Sequence, residues 1–208
     1  ASTIKVKVNG AKEGEGETLT KALAAAGFGD DKEKEVKSIA IVGGSFHEKD
    51  WITLPTDLYT DGSQGFSNLK EFSIGTTVSY LVEMPLTLDP PKQYFTEAAV
   101  ETASIAQITR VADKAFAQSM ALKKISLPDV TQMGKATFAG SKHLLEVVAP
   151  KLVQIGSSTF EGCTALKEMD LLNITSSGDY TFKGCSSLVK FGLPKVTSLG
   201  AGTFDGCT

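Results

Sequence analysis

The sequence predicts a repeat solenoid built from stacked parallel β-strands. Three observations predict it. The phenylalanines Phe116, Phe138, Phe160, Phe182 and Phe204 follow one another at steps of 22 residues, inside the phrases AFAQSMAL, TFAGSKHL, TFEGCTAL, TFKGCSSL and TFDGCT. Cys163, Cys185 and Cys207 keep the same step, in a slot that earlier copies fill with Ser119 and Ser141. An apolar triplet also recurs, as Leu122-x-x-Ile125-x-Leu127, Leu144-x-x-Val147-x-Ala149, Leu166-x-x-Met169-x-Leu171 and Leu188-x-x-Phe191-x-Leu193. A fixed period of this length marks a coil in which each turn is one supersecondary unit. The last two apolar positions of the triplet point inward along a strand and the first closes the turn before it. One turn cannot bury enough apolar surface to fold alone, so neighbouring turns must stack.

Taken in order, the chain opens with Ile4, Val6 and Val8 alternating with lysines, the pattern of a half-buried strand. A Gly/Glu-rich stretch over 10–17 follows and is expected to be a loop. Gly14 and Gly16 there lack the Walker pattern and the spacing of a dinucleotide fingerprint, so a turn is the expected role. Thr18 is placed to cap a helix through Leu19, Leu23 and Ala24, ended by Gly27 in the left-handed conformation. The charged run from Asp30 to Lys37 reads as a solvated connection. The triplet appears as Val36-x-x-Ile39-x-Ile41 and again as Leu69-x-x-Phe72-x-Ile74, at longer intervals than in the regular array. A short helix is expected around Trp51, with Trp51 in the core or cap. Residues 85–93, holding Pro85, Pro90 and Pro91, read as a hinge or long loop. A degenerate turn follows from Tyr94, with Val100, Ala103, Ile105, Ile108 and Val111 in the apolar columns. Residues 1–93 are thus expected to form an irregular α+β capping region, and residues 94–208 the regular repeats. Within a regular turn, a second short strand is expected near Val153 to Ile155. Its counterpart around Ser177 is expected to be distorted, because Leu172 and Ser177 depart from the repeat.

Composition excludes several functions. The formal net charge is −3, and Arg110 is the only arginine among 21 basic residues. Nucleic-acid readout leans on bidentate arginine, so no nucleic-acid partner is expected. No stretch reaches the roughly 18 apolar residues of a membrane span, and no transmembrane segment is expected. The cysteines lack Cys-x-x-Cys spacing and no histidine shares their column, so metal binding is not expected. Stacked Cβ vectors point the same way, which favours buried free thiols over disulfides. His47 lies near Glu48 and Asp50, and His143 lies in a variable turn; neither has a well-spaced third ligand, and both are expected to be solvated. With two distant histidines, a nucleophile with an oriented base is not expected either. No cofactor and no enzymatic activity are expected. Asn173-Ile174-Thr175 has the form of a glycosylation sequon, here read as an accident of the repeat.

The repeat reads Leu-x-x-(Ile/Val/Met/Phe)-x-Leu-Pro-x-Val-Thr-x-(Ile/Leu)-Gly-x-x-Thr-Phe-x-Gly-Cys. It closely resembles the BspA-like, Treponema-type leucine-rich repeat over Tyr94 to Thr208. Phe160, Gly162, Cys163, Leu166, Pro194, Val196, Leu199 and Gly200 match that motif position by position. The stretch GETLTKALAAAGF…VKSIAIVGG is similar to the lead-in of surface proteins from host-associated anaerobic bacteria. The resemblance implies a right-handed leucine-rich repeat coil and an exported protein, secreted or held at the cell surface. It implies adhesion or partner binding without catalysis, the partner being a host matrix protein or another bacterial surface protein. A spacer that presents other domains of a larger surface protein is the alternative. The start at Ala1, without initiator Met or signal peptide, fits a mature or trimmed form of an exported protein and equally any shortened chain; a lipid anchor upstream of residue 1 is one expected mode of attachment. Thr208 is not expected to be a natural boundary.

The outward strand positions are the candidate partner-binding residues: Lys124, Glu146, Glu168 and Lys190 in one column, Ser126, Val148 and Asp170 in the next. A parallel face of a solenoid is where partners bind. No aromatic ladder lies there, so a glycan is a lesser expectation than a protein.

Overall fold

The computed structural model describes residues 2–60 and 65–208; Ala1 and residues 61–64 of the expected cap lie outside the described residues. The alternation at the start forms β1 (Ile4–Val8), whose valines are fully buried. It pairs antiparallel with β2 (Lys12–Gly16) and with β3 (Ser38–Phe46). The Gly/Glu-rich stretch is therefore a strand, not the expected loop. Its inner face is glycine because a helix lies directly on it: a Cβ at Gly14 would fall 2.2 Å from the Ala22 carbonyl oxygen. That helix, α1 (Leu19–Ala25), starts at Thr18, whose hydroxyl accepts the Lys21 N–H at 3.2 Å, and ends before Gly27 at φ +97°.

From β3 onward the strands run parallel. β3 pairs with β4 (Glu71–Ile74), which pairs with the next strand, Thr102–Ile105. A short strand β5 (Tyr80–Leu81) pairs with the end of β3 beyond the bend at Gly43 and Gly44. Thr102–Ile105 is β6, and β7 (Arg110–Val111) follows it. The regular turns then alternate between two sheets: β8 (Lys124–Ser126), β9 (Gln132–Met133), β10 (Glu146–Val148), β11 (Gln154–Ile155), β12 (Glu168–Met169) and β13 (Ser176–Ser177). Among the described residues this gives a nine-stranded sheet ordered β12-β10-β8-β6-β4-β3-β1-β2 with β5 beside β3, and a four-stranded sheet ordered β13-β11-β9-β7. β13 pairs with β11 in register, so the turn with Leu172 and Ser177 is not distorted as expected. Backbone bonds hold it, while the buried Ser177 hydroxyl finds no partner among the described residues.

The interior is a ladder of rings. Phe116, Phe138, Phe160, Phe182 and Phe204 stack with centroids 5.3 to 5.7 Å apart. Phe95 starts this ladder at 5.2 Å from Phe116, one residue out of the 22-residue step. Trp51, in α2 (Glu48–Asp57), is fully buried against Phe46 and Tyr94 and donates its indole N–H to the Val82 carbonyl at 2.8 Å. Phe191 and Leu199 break the inward expectation: with a neighbouring turn on one side only, they are 44% and 46% exposed.

The connection over 85–93 is not a free hinge on both sides. Just before it, Glu83 accepts the Thr109 N–H at 2.8 Å and the Thr109 hydroxyl at 2.7 Å, and the Met84 sulfur accepts the Ala112 N–H at 3.4 Å. Side chains thus satisfy the outer edge of β7, where another strand of the small sheet would otherwise sit.

Candidate functional site

Parallel register places the seven predicted residues on one outer face of the large sheet. Lys124 sits opposite Glu146, Glu146 opposite Glu168, and Glu168 bridges to Lys190. Ser126 sits opposite Val148, and Asp170 continues that second column past the end of β12. Because alternate residues point to opposite faces, Ile125, Val147 and Met169 between them are buried. The first column is exposed throughout; Ser126 and Val148 are half-buried by their taller neighbours. Lys124 and Glu146 pair at 3.4 Å.

The two ends of the face differ. Towards the cap its columns continue through Ser38, Glu71 and Thr102, and through Ala40, Ser73 and Ser104. A shallow recess of about 410 Å³ lies there. Next in sequence to Thr102, which lines it, Glu101 bonds Lys123 at 2.6 Å and pairs with Lys70 at 3.8 Å. The Lys123 hydrogen bond, followed by the charges of both lysines, holds the Glu101 carboxyl below the usual carboxylate range. At the other end a groove of about 500 Å³ runs over β10, β12 and the turn at Lys190. Glu146, Val148, Glu168, Asp170 and Lys190 all line it. So does Gly192, the next position of the second column, and so do Pro150, Leu172 and Phe191, which strand alternation alone does not assign to the face. A signal for Leu172 was present. Pro128, Pro150 and Pro194 occupy its column, and its departure from proline leaves 57% exposed apolar surface without breaking the following strand.

The other candidate residues fall elsewhere. His47 is half-buried rather than fully solvated, with its ring 5.3 Å from that of Tyr80. Asp50 is buried and committed to helix α2, accepting the His47 backbone N–H at 2.8 Å. His143 is exposed. Asn173 is tied into the rungs: its amide donates to the Pro150 carbonyl at 3.0 Å and its oxygen accepts from Lys195 at 2.8 Å. The three cysteines are free. Among the described residues no three His, Cys, Asp or Glu side chains gather as metal ligands would.

Parallel strands recurring every 22 residues, a ladder of stacked rings and an uncovered strand face define a leucine-rich repeat solenoid. The model of the BspA type leucine rich repeat region matches residues 91–208 in six copies. The chain belongs to that family. A leucine-rich repeat protein of T. pallidum is similar to it at 26% identity and a TM-score of 0.53, over 61% of this chain and 68% of that one. A leucine-rich repeat protein of Bacteroides ovatus shares the fold, with 22% identity and a TM-score of 0.51 over 67% of this chain and 45% of its own. No curated protein sequence matches the chain. No described helix is long and apolar enough to cross a membrane.

Proposed function

We propose that the chain is a non-enzymatic interaction module of a secreted or surface-held protein. It binds a protein partner through the outer face of the large sheet, around Lys124, Ser126, Glu146, Val148, Glu168, Asp170 and Lys190. The observation that carries this reading is the alignment of these residues in two columns on a face that no other element covers among the described residues. The inner face is spent on the phenylalanine ladder, and the β1–β2 hairpin with α1 covers one end of the coil. Variable side chains on an invariant frame are how solenoids vary specificity. Membership of the BspA-type repeat family supports export to the surface.

A binding screen tests it. The chain is immobilised and exposed to a panel of soluble extracellular-matrix proteins, bacterial surface proteins and glycans. A retained protein should be lost on Lys124→Glu with Glu146→Lys and kept on Lys183→Glu, which lies off this face. Equal loss in both variants would place binding elsewhere, and an empty panel would favour the spacer reading.

A further inference from the structure

The groove over residues 146–192 combines three features. Its floor is open: the second column carries Ser104, Ser126, Val148 and Asp170 and then Gly192, where an added Cβ would meet nothing within 4 Å. One wall is apolar: Leu172, 57% exposed, stands where other turns carry proline. Its charge is unbalanced. Glu146 and Glu168 stand directly opposite each other, an arrangement that costs stability. Lys124 offsets Glu146 at 3.4 Å, but no cation lies within ion-pair distance of Glu168 or Asp170 among the described residues. Asp170 spends one oxygen on the Leu172 N–H at 3.0 Å and leaves the other without a partner among those residues. Lys190 stands opposite Glu168 on its other side but beyond ion-pair distance, so two lysines face three carboxylates across the groove.

We propose that this groove receives a short extended protein segment that sets a lysine or arginine over Glu168 and Asp170 and an apolar side chain against Leu172. The proposal rests on the reading of this face as the binding surface and adds the chemistry of the partner. Opposite charge in a partly desolvated recess fixes register and rejects acidic segments, while the apolar wall supplies buried area.

The test is selection of a displayed random nonapeptide library on the immobilised full chain. The enriched peptides are then made with a fluorophore and measured by anisotropy. The expected peptides carry a basic residue next to Leu, Ile or Phe. Their Kd should rise about tenfold or more on Glu168→Gln, which keeps the shape, and on Gly192→Val, which fills the floor. Peptides without a basic residue, or binding that both variants leave unchanged, overturn the proposal, as does a library with no enrichment. Peptides lost instead on Lys124→Glu alone would keep the face as the binding surface and remove this groove from it.

Discussion

The Cys185 thiol donates to the backbone carbonyl of Phe160, one turn back, at 3.1 Å. Cys163 does the same to Phe138 at 3.2 Å and Cys207 to Phe182 at 3.0 Å, as the Ser141 hydroxyl does to Phe116 at 2.8 Å. The slot therefore asks for a small side chain that can donate, which explains why both serine and cysteine fill it. Cys185→Ser should cost less than about 1 kcal/mol, whereas Cys185→Leu overpacks a fully buried site and should cost about 1–3 kcal/mol. Urea midpoints of the two variants measure the difference, and equal losses would sink this account of the column.

The same burial makes stability fall in alkali. Desolvation pushes Cys185 up to about 12, with the neighbouring Cys207 adding to it, and burial pushes Cys163 up as well. In the unfolded chain a thiol ionises near ~8.5. Above that pH the unfolded chain has released protons that the folded chain still holds. The stability these thiols contribute is present below the unfolded value and is lost as pH rises towards the folded one. Each thiol should add a downward slope of roughly 1 kcal/mol per pH unit above about pH 9. Comparing the native chain with Cys163→Ser/Cys185→Ser from pH 8 to 11 isolates it; parallel curves would mean the thiols are not protected.

Phe160 lies fully buried between rings at 5.4 and 5.3 Å, its plane nearly parallel to both. Phe160→Ala should cost about 3–5 kcal/mol, because it removes a large buried side chain and a stack on either side. Phe204, partly buried, should lose less on the same change. Thermal unfolding of the two variants gives the ranking, and the reverse order would contradict a ladder stabilised by neighbour contacts.

The regular turns were legible because every apolar column repeats at 22 residues, so one correct alignment places Phe138, Leu144, Val147 and Ile155 together. Phe95 escaped because one missing residue takes it out of that step. β2 escaped for a different reason. Its inward residues, Gly14 and Gly16, carry no hydropathy signal, since the apolar cover comes from α1. The face columns at Lys124, Glu146 and Glu168 followed from strand alternation alone. The groove did not, because it depends on a missing side chain at Gly192 and on an exposed leucine at a position where proline is the rule.

Gly14 tests the packing of α1 on the hairpin. Its added Cβ would also lie 2.5 Å from the Ala26 nitrogen, and backbone on both sides leaves no flexible atom to give way. Gly14→Ala should cost about 1–3 kcal/mol or lift α1 from β2, against no measurable loss for Gly192→Ala. Amide hydrogen exchange over Leu19–Ala25 reports the lifting directly. Unchanged protection and stability in Gly14→Ala would show that the helix is not seated on the strand.

Glu83 tests whether the small sheet needs its side-chain cap. Both carboxylate oxygens reach the Thr109 N–H, at 2.8 and 3.1 Å, and one also takes the Thr109 hydroxyl. Glu83→Ala leaves that edge of β7 to water, and hydrogen bonds to a charged acceptor contribute about 1.5–3 kcal/mol each at most. Much of this returns through solvation at an exposed site, so a net loss of about 1 kcal/mol is expected. Glu83→Gln keeps one acceptor oxygen and should fall between the two. The loss should be local, with faster exchange at Thr109 and Arg110 and little change at Gln154 or Ser176, because neighbour terms in a stacked coil fade with distance. Uniform loosening of β7, β9, β11 and β13 would mean that the small sheet unfolds as one unit and that Glu83 holds all of it.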